Sequence, residues 1–409
     1  PGIYTKEMLP LIRQQIERGD YKLQNLLEQL REELFFFEDE RNGCDNINTE
    51  AQYQAYLNKI ERKGPEKISL KEAVEKILEE VQPIAEWEEL PLLKLPGRTL
   101  WEDVYSRHAQ PPFPRSPLDG YAIRSEDSIG AGEKHGVCLH VIDTVYAGEV
   151  SKKTVGAKEA VRLMTGAPIP EGADTVIRQE DVKELPDRIY IFQEQQAYEN
   201  YCCEGEDYPA DTCLLKRGET VRAAECGLLA SMGYPYAKVV RNVRAAVIAT
   251  GSELTEPGRG LSFGKIYNAN LYLVCGRLAE LGVSVVWMDT VEDDAECLKC
   301  SIEKARGQAA DLILTIGGVS VGEKDIVEET YGLLGAEICF HGVKMKPGSP
   351  VMGGSYQKIP LLSFSGNPYG TFVNLELFVL PVLEKMTGSR RYRAEYREGI
   401  LNGKECVIA

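Results

Sequence analysis

DLILTIGGVSVGEKD, Asp311 to Asp325, runs a short apolar segment straight into a glycine-rich corner. An apolar run of this length bounded by turn residues reads as a strand buried on both faces. Two other segments follow the same pattern: RAAVIAT leads into GSEL, and IPLLSF leads into SGNPYGT. VSVVWM and AEICFHG read as further strands, and NANLYLVCGRLAELG as a helix with Leu271, Val274, Leu278 and Leu281 on one face. Strands alternating with helices predict a parallel sheet over residues 241–388, covered on both sides. Such sheets bind ligands at the carboxyl ends of their strands, so the three glycine corners should emerge at one rim. Glycine lacks the Cβ that would hold a ligand away from backbone amides, which suits these corners to phosphates and flat polar rings.

The common nucleotide signatures do not fit. Val319 stands where G-x-G-x-x-G needs its middle glycine, and no G-x-x-x-x-G-K-[ST] occurs. A fourth loop, KMKPGSP from Lys344 to Pro350, places two ammonium groups before a Pro-Gly corner. The chain has 47 basic and 63 acidic residues, a formal net charge of -16, so its overall field repels nucleic acid and anionic membranes. A cationic loop in such a chain is a local exception that calls for a local anion.

The 409 residues, 43% of them hydrophobic, are enough for several cores, and the length favours two to four domains. No apolar run reaches membrane-spanning length and PGIYTKEML lacks a signal-peptide layout, so a cytoplasmic location is expected. Eleven scattered cysteines read as reduced thiols used as small apolar residues. Cys297 and Cys300 have metal-like spacing, but no second pair accompanies them and they fall in a helical pattern.

Outward from the alternating region, the rhythm changes. Residues 1–66 read as a helical extension around LLEQLREELFFF, suited to docking a partner or supporting a dimer. Residues 67–240 open with the helix SLKEAVEKILEEV and continue as short β-type runs such as LHVIDTVYAG and RIYIF, in the manner of a small barrel or sandwich. Residues 389–409 look like the first strands of an incomplete C-terminal β domain. Within the β-rich region, PPFPRSPLDGYAIRSED holds an extended lead and then a carboxylate, Asp119, on a corner before an apolar strand. An Asp-Gly pair is also an ordinary hairpin turn that needs no function.

SPLDGYAIRSED, RLMTGAPIPEGADTVIRQED, IGGVSVGEKD, KMKPGSP and SGNPYGT, in this order and spacing, resemble the molybdopterin molybdenumtransferase family, the MoeA-type enzymes related to the E domain of gephyrin. The resemblance covers about residues 67–388. It implies an α/β multidomain fold: β-rich, barrel-like linker domains, then a three-layer α/β molybdopterin-binding domain and a small C-terminal β domain. It also implies an elongated homodimer with the site across its cleft. The implied reaction takes adenylated molybdopterin and molybdate, uses Mg2+, and inserts molybdenum with release of AMP. The molybdopterin adenylyltransferase and apo-molybdoenzymes are implied as further partners, with neither nucleic acid nor membrane.

Carried over by position, the resemblance gives Asp119 and Thr165 catalytic roles and makes Lys346 the first lysine of the anion loop; Lys344, two residues upstream, is counted with them as a catalytic, anion-holding residue. Gly317, Gly318, Ser320, Gly322, Asp325, Gly366, Asn367 and Pro368 would line the pterin and phosphate pocket, and Asp207, Glu225 and Asp293 would serve the metal. Several positions depart from the family pattern. K-P-G-K-P ends here with Ser349 in place of its second lysine, G-N-P-V-S with Gly370 in place of its serine, and Ser365 replaces the proline before G-N-P. Ser252 and Asn268 replace acids, and Cys202, Cys203 and Glu204 replace arginines before G-E-D. In an extended segment Lys344 and Lys346 share a face, so Lys344 is expected to stand in for the missing lysine. The alternative is a non-catalytic paralogue that binds molybdopterin as carrier, chaperone or scaffold; a third reading keeps pyrophosphate hydrolysis on another substrate.

Overall fold

The computed structural model describes residues 9–19, 66–319 and 326–393. The chain divides into two compact units, Pro1–Glu66 and Lys67–Ala409. Of the first, the described part is a helix, Leu9–Glu17; the remainder of the expected helical extension lies outside the described residues. So do residues 394–409, where the start of a C-terminal β domain is expected.

In the second unit a six-stranded sheet runs in the order Ser284–Val291, Arg244–Thr250, Leu312–Ile316, Ile359–Phe364, Val351–Tyr356, Glu337–His341. Along Arg244–Thr250 the side chains alternate between faces, as period-two geometry requires. Ala245, Val247 and Ala249 join a core with helices Leu70–Glu80, Ala269–Glu280 and Leu380–Thr387. Ala246 and Ile248 join the opposite core with helices Ala295–Gly307 and Ile326–Leu334. This is the three-layer arrangement, and fully burying a side chain such as Leu278 contributes about 2 kcal/mol to it.

The sheet is mixed where the sequence predicts it parallel. Its first four strands are parallel, but Val351–Tyr356 runs antiparallel to both neighbours. The cause is a two-residue connection, Gln357 and Lys358 at φ 51° and 68°, which joins Tyr356 to Ile359. So short a loop can join only antiparallel strands, and its residues lack the Asn-Gly signal of such turns. The opening helix Leu70–Glu80, capped by Ser69 Oγ accepting from the Glu72 amide at 3.2 Å, packs on this sheet and not on the β-rich region that follows it in sequence. Helix Ala295–Gly307 is capped by Asp294, which accepts from the Cys297 amide at 2.9 Å; Cys297 and Cys300 are exposed on its surface.

The β-rich part contains two assemblies. Leu95, Leu100, Val104, Leu215, Val221 and Leu229 form a small core around helix Ala223–Ser231. Between its halves in sequence lies a second six-stranded sheet, ordered Thr175–Arg178, Gly120–Ile123, Glu159–Leu163, Val137–Val145, Arg188–Ile191, Val182–Leu185. Gly120 is not the second half of a hairpin turn. It begins a central strand between Leu163 and Arg178, and a Cβ there would stand 2.0 Å from the Ile177 carbonyl oxygen.

Candidate active site

The carboxyl ends of Arg244–Thr250, Leu312–Ile316 and Ile359–Phe364 open onto a cavity of about 480 Å3. Its lining includes Thr250, Gly251, Gly317, Gly318, Gly366 and Pro368, so the three glycine corners do meet at one rim. The volume suits a ligand of pterin size, since ligand pockets run from ~300 to ~1,000 Å3. Gly317 has φ +100°, and a Cβ on it would lie 2.4 Å from the Thr250 carbonyl oxygen; one on Gly318 would strike Ile326 at 2.5 Å. These glycines are therefore demanded first by the crossing of two loops. The corner amides belong to the same packing: Gly317 N–H donates to the Phe364 carbonyl at 2.9 Å and Gly251 N–H to the Val291 carbonyl at 3.2 Å.

Polar groups converge on the same cavity. Asp293 accepts from Thr250 Oγ1 at 3.2 Å and from the Ser252 amide at 3.0 Å, bracing two of the loops. Asn268 caps helix Ala269–Glu280 through the Leu271 amide at 3.3 Å, while its Nδ2 donates to Thr290 Oγ1 at 2.9 Å. Thr290 Oγ1 in turn donates to Glu256 at 2.8 Å, which holds that carboxyl below its ordinary range. An asparagine in place of an acid at 268 thus serves as a cap. Asn270, which motif reading did not single out, lines the cavity: its Nδ2 donates to the Gly366 carbonyl at 2.7 Å and its buried Oδ1 has no partner among the described residues. The signal for it was present in NAN, since i and i+2 around a helix cap both lie near the strand end, but nothing in the sequence separates cap from ligand group.

Asn367 is committed elsewhere. Its Oδ1 accepts from the amides of Tyr369 and Gly370 at 3.0 and 3.3 Å, capping helix Pro368–Asn374. Ser320, Gly322 and Asp325 lie outside the described residues. Lys344 and Lys346 are exposed, and their segment is not extended: the Met345 amide donates back to the Val343 carbonyl at 2.9 Å, turning the chain at Lys344. The shared face expected of an extended segment is therefore not formed.

Asp119 lies on the second assembly. One of its oxygens accepts both the amide and the hydroxyl hydrogen of Thr165, each at 2.7 Å. Those bonds, the hydroxyl's first, hold the Asp119 carboxyl below the ordinary carboxylate range. It is ionised at neutral pH and is a weak base there; it is fitted to accept hydrogen bonds and to orient groups. The residues lining the cavity all come from 249–368, so within one chain neither Asp119 nor Thr165 contributes to it.

The three acids expected to serve a metal do not gather. Glu225 turns back on its own helix start, accepting from the Arg222 amide at 2.8 Å and its guanidinium at 3.0 Å. Asp207 is exposed on the loop that pairs with Gln110, and Asp293 braces the cavity. Among the described residues no three His, Cys, Asp or Glu side chains are placed to hold one ion. Asp207, Glu225 and Asp293 of a single chain therefore do not make up one metal site.

Comparison with known proteins agrees with this architecture. Residues 68–233 match the family model described as the MoeA N-terminal region (domain I and II), and residues 246–385 match the probable molybdopterin binding domain. The molybdopterin molybdenumtransferase of Staphylococcus aureus (strain MRSA252) is 37% identical over 330 residues, covering 81% of this chain and 78% of the relative. That of Staphylococcus epidermidis (strain ATCC 12228) is 36% identical over 334 residues, with the same coverage. A crystal structure of the molybdopterin biosynthesis MoeA protein from Pyrococcus horikoshii superposes with a TM-score of 0.71 at 34% identity, covering 79% of this chain and 81% of that one. With both halves of the chain matched by the family's models and a 37% identical relative covering 81% of it, the chain belongs to the molybdopterin molybdenumtransferase family.

Proposed function

We propose that the protein inserts molybdenum from molybdate into adenylated molybdopterin and releases AMP. The observation that carries this reading is the cavity at the strand ends, where the three glycine corners meet beside Asp293 and Asn270, whose buried carbonyl oxygen has no partner among the described residues. In this reading the pterin and its phosphates lie along the glycine rim, and the cationic loop at 344–350 holds the oxyanion. Water breaks the P–O–P bond to give AMP, the phosphate of molybdopterin and two protons, and an oxide displaced from molybdate by the dithiolene sulfurs takes up two protons and leaves as water. The relatives bear a transferase's name, which favours an enzyme over a carrier or scaffold.

The cavity lacks Asp119 and Thr165 within one chain, which supports a homodimer in which that pair reaches the cavity of the other subunit. Mg2+ as cofactor would then depend on acids from two chains. A cytoplasmic setting, with a supplier of adenylated molybdopterin and an acceptor apoenzyme, completes the reading. Among the described residues no helix is long and apolar enough to cross a membrane. Incubating the protein with adenylated molybdopterin, Mg2+ and molybdate should yield AMP and reconstitute a molybdenum-free apoenzyme. Absence of both products with the unaltered protein rejects the reading.

A further inference from the structure

Lys67, which no motif singles out, donates from its ammonium to Ser349 Oγ at 2.9 Å. Ser349 Oγ itself donates to the Val343 carbonyl at 2.8 Å, so the hydroxyl is fixed as an acceptor for the lysine. The backbone places Lys67 there. Ile68 bridges Val343, and the Lys344 amide donates to the Ile68 carbonyl at 2.8 Å. The lysine stem crosses Gly342, where a Cβ would approach Lys67 Cγ to 3.0 Å. A flexible four-carbon stem is thereby held along one course with its charge delivered to the loop.

Among the described residues no carboxylate pairs with Lys67, Lys344 or Lys346, although acids exceed bases by sixteen in the chain. The Lys67 ammonium is thus added to a loop that already carries Lys344 and Lys346, a local excess of positive charge suited to an anion. The other side of the loop carries a second sign of an absent ligand. Asn374 is fully buried, neither atom of its carboxamide has a partner, and a Cβ on Gly348 would lie 2.6 Å from its Oδ1. Buried carboxamides are rarely left without partners, so this one is aimed at something that the loop brings or admits. Ser365 Oγ adds a hydroxyl at the same place, 2.7 Å from where a Cβ on Gly370 would stand.

We propose that Lys67 is a binding residue for the tetrahedral oxyanion substrate, molybdate, its ammonium completing with Lys344 and Lys346 the charge of the 344–350 loop. This rests on the function proposed above. It explains how Ser349 is tolerated: the serine docks a lysine arriving from another segment. Ser365 and Asn374 flank the loop on its other side and supply neutral hydrogen-bonding groups.

The test is isothermal titration of sodium molybdate into the unaltered protein, Lys67→Met and the double variant Lys67→Met/Ser349→Lys, each checked for an unchanged melting temperature. Loss of one ammonium should weaken binding about tenfold, equivalent to ~1.4 kcal/mol. Restoring an ammonium from position 349 should recover most of it. Lys67→Met binding molybdate within about twofold of the unaltered protein, or no binding by the latter, overturns the proposal. AMP release is followed in parallel. Release with an unshifted molybdate dependence in Lys67→Met sinks the role of Lys67 and leaves the enzyme reading intact; weakened binding without any release does the reverse.

Discussion

Thr165 gives both of its hydrogen-bond donors, amide and hydroxyl, to a single oxygen of Asp119, each at 2.7 Å. The carboxylate is thereby kept ionised and held in one orientation, and its other oxygen is left to meet substrate. Thr165→Val removes the hydroxyl donor and keeps the amide. The folded pKa of Asp119 lies below its unfolded value, so the ionised form persists until pH falls through that lowered value. In Thr165→Val the acid limb of the rate against pH should move upward, toward the ordinary carboxylate pKa. At neutral pH the looser carboxylate should lower turnover by up to ~10²-fold, the scale of a misplaced active-site group. An unchanged acid limb would disconnect the pair from the reaction.

Asn270 should act on binding more than on turnover. Asn270→Ala removes the bond to the Gly366 carbonyl and the carboxamide of a residue that lines the cavity. One or two lost hydrogen bonds of about 1 kcal/mol each predict a KM for adenylated molybdopterin raised by roughly five- to thirtyfold, with kcat little changed. Steady-state kinetics at saturating molybdate checks it.

Gly317 is a steric requirement. Gly317→Ala places a methyl 2.4 Å from the Thr250 carbonyl oxygen at φ +100°. Strain in that region costs on the order of 1–3 kcal/mol before the clash is counted, so the urea midpoint should fall and the cavity should be lost with it. Retained stability together with full AMP release would contradict the packing described.

Asp311 anchors the start of its strand. It accepts from both terminal nitrogens of Arg241 at 2.7 and 2.9 Å and from the Arg244 amide at 2.8 Å. With both side chains mostly buried, Asp311→Ala leaves the guanidinium short of a partner. Removing one member of such a pair costs about 3–5 kcal/mol where burial is complete, and somewhat less for this partly exposed one. Equilibrium unfolding in urea should show the loss, with AMP release per folded molecule unaffected.

The proposed dimer predicts complementation. Asp119→Asn and Lys346→Met should each be inactive alone. Mixed after mild denaturation and refolding, they should regain activity, since a heterodimer keeps one site with both groups intact. No regain, in a preparation shown by light scattering to be dimeric, would place Asp119 and the cationic loop in the same chain's site.

The alternating rhythm of residues 241–388, the glycine corners at the strand ends and the family itself were all legible in the sequence. Each depends on local constraints, namely burial on both faces of a strand, backbone angles only glycine tolerates, and motifs written in consecutive residues. The sequence could not show that Val351–Tyr356 reverses the sheet, because Gln357 and Lys358 adopt left-handed angles without the usual turn residues. It could not show that Asn268 is spent as a cap, that Glu225 is paired to its own helix start, or that Leu70–Glu80 packs on the α/β sheet. The place left by the lysine absent at 349 illustrates the division. Chain order suggested Lys344, two residues away, whereas the fold turns the chain there and brings Lys67 from 282 positions away to Ser349. Charge acts through space and the sequence records only order along the chain, so which cations share a loop is decided by tertiary packing.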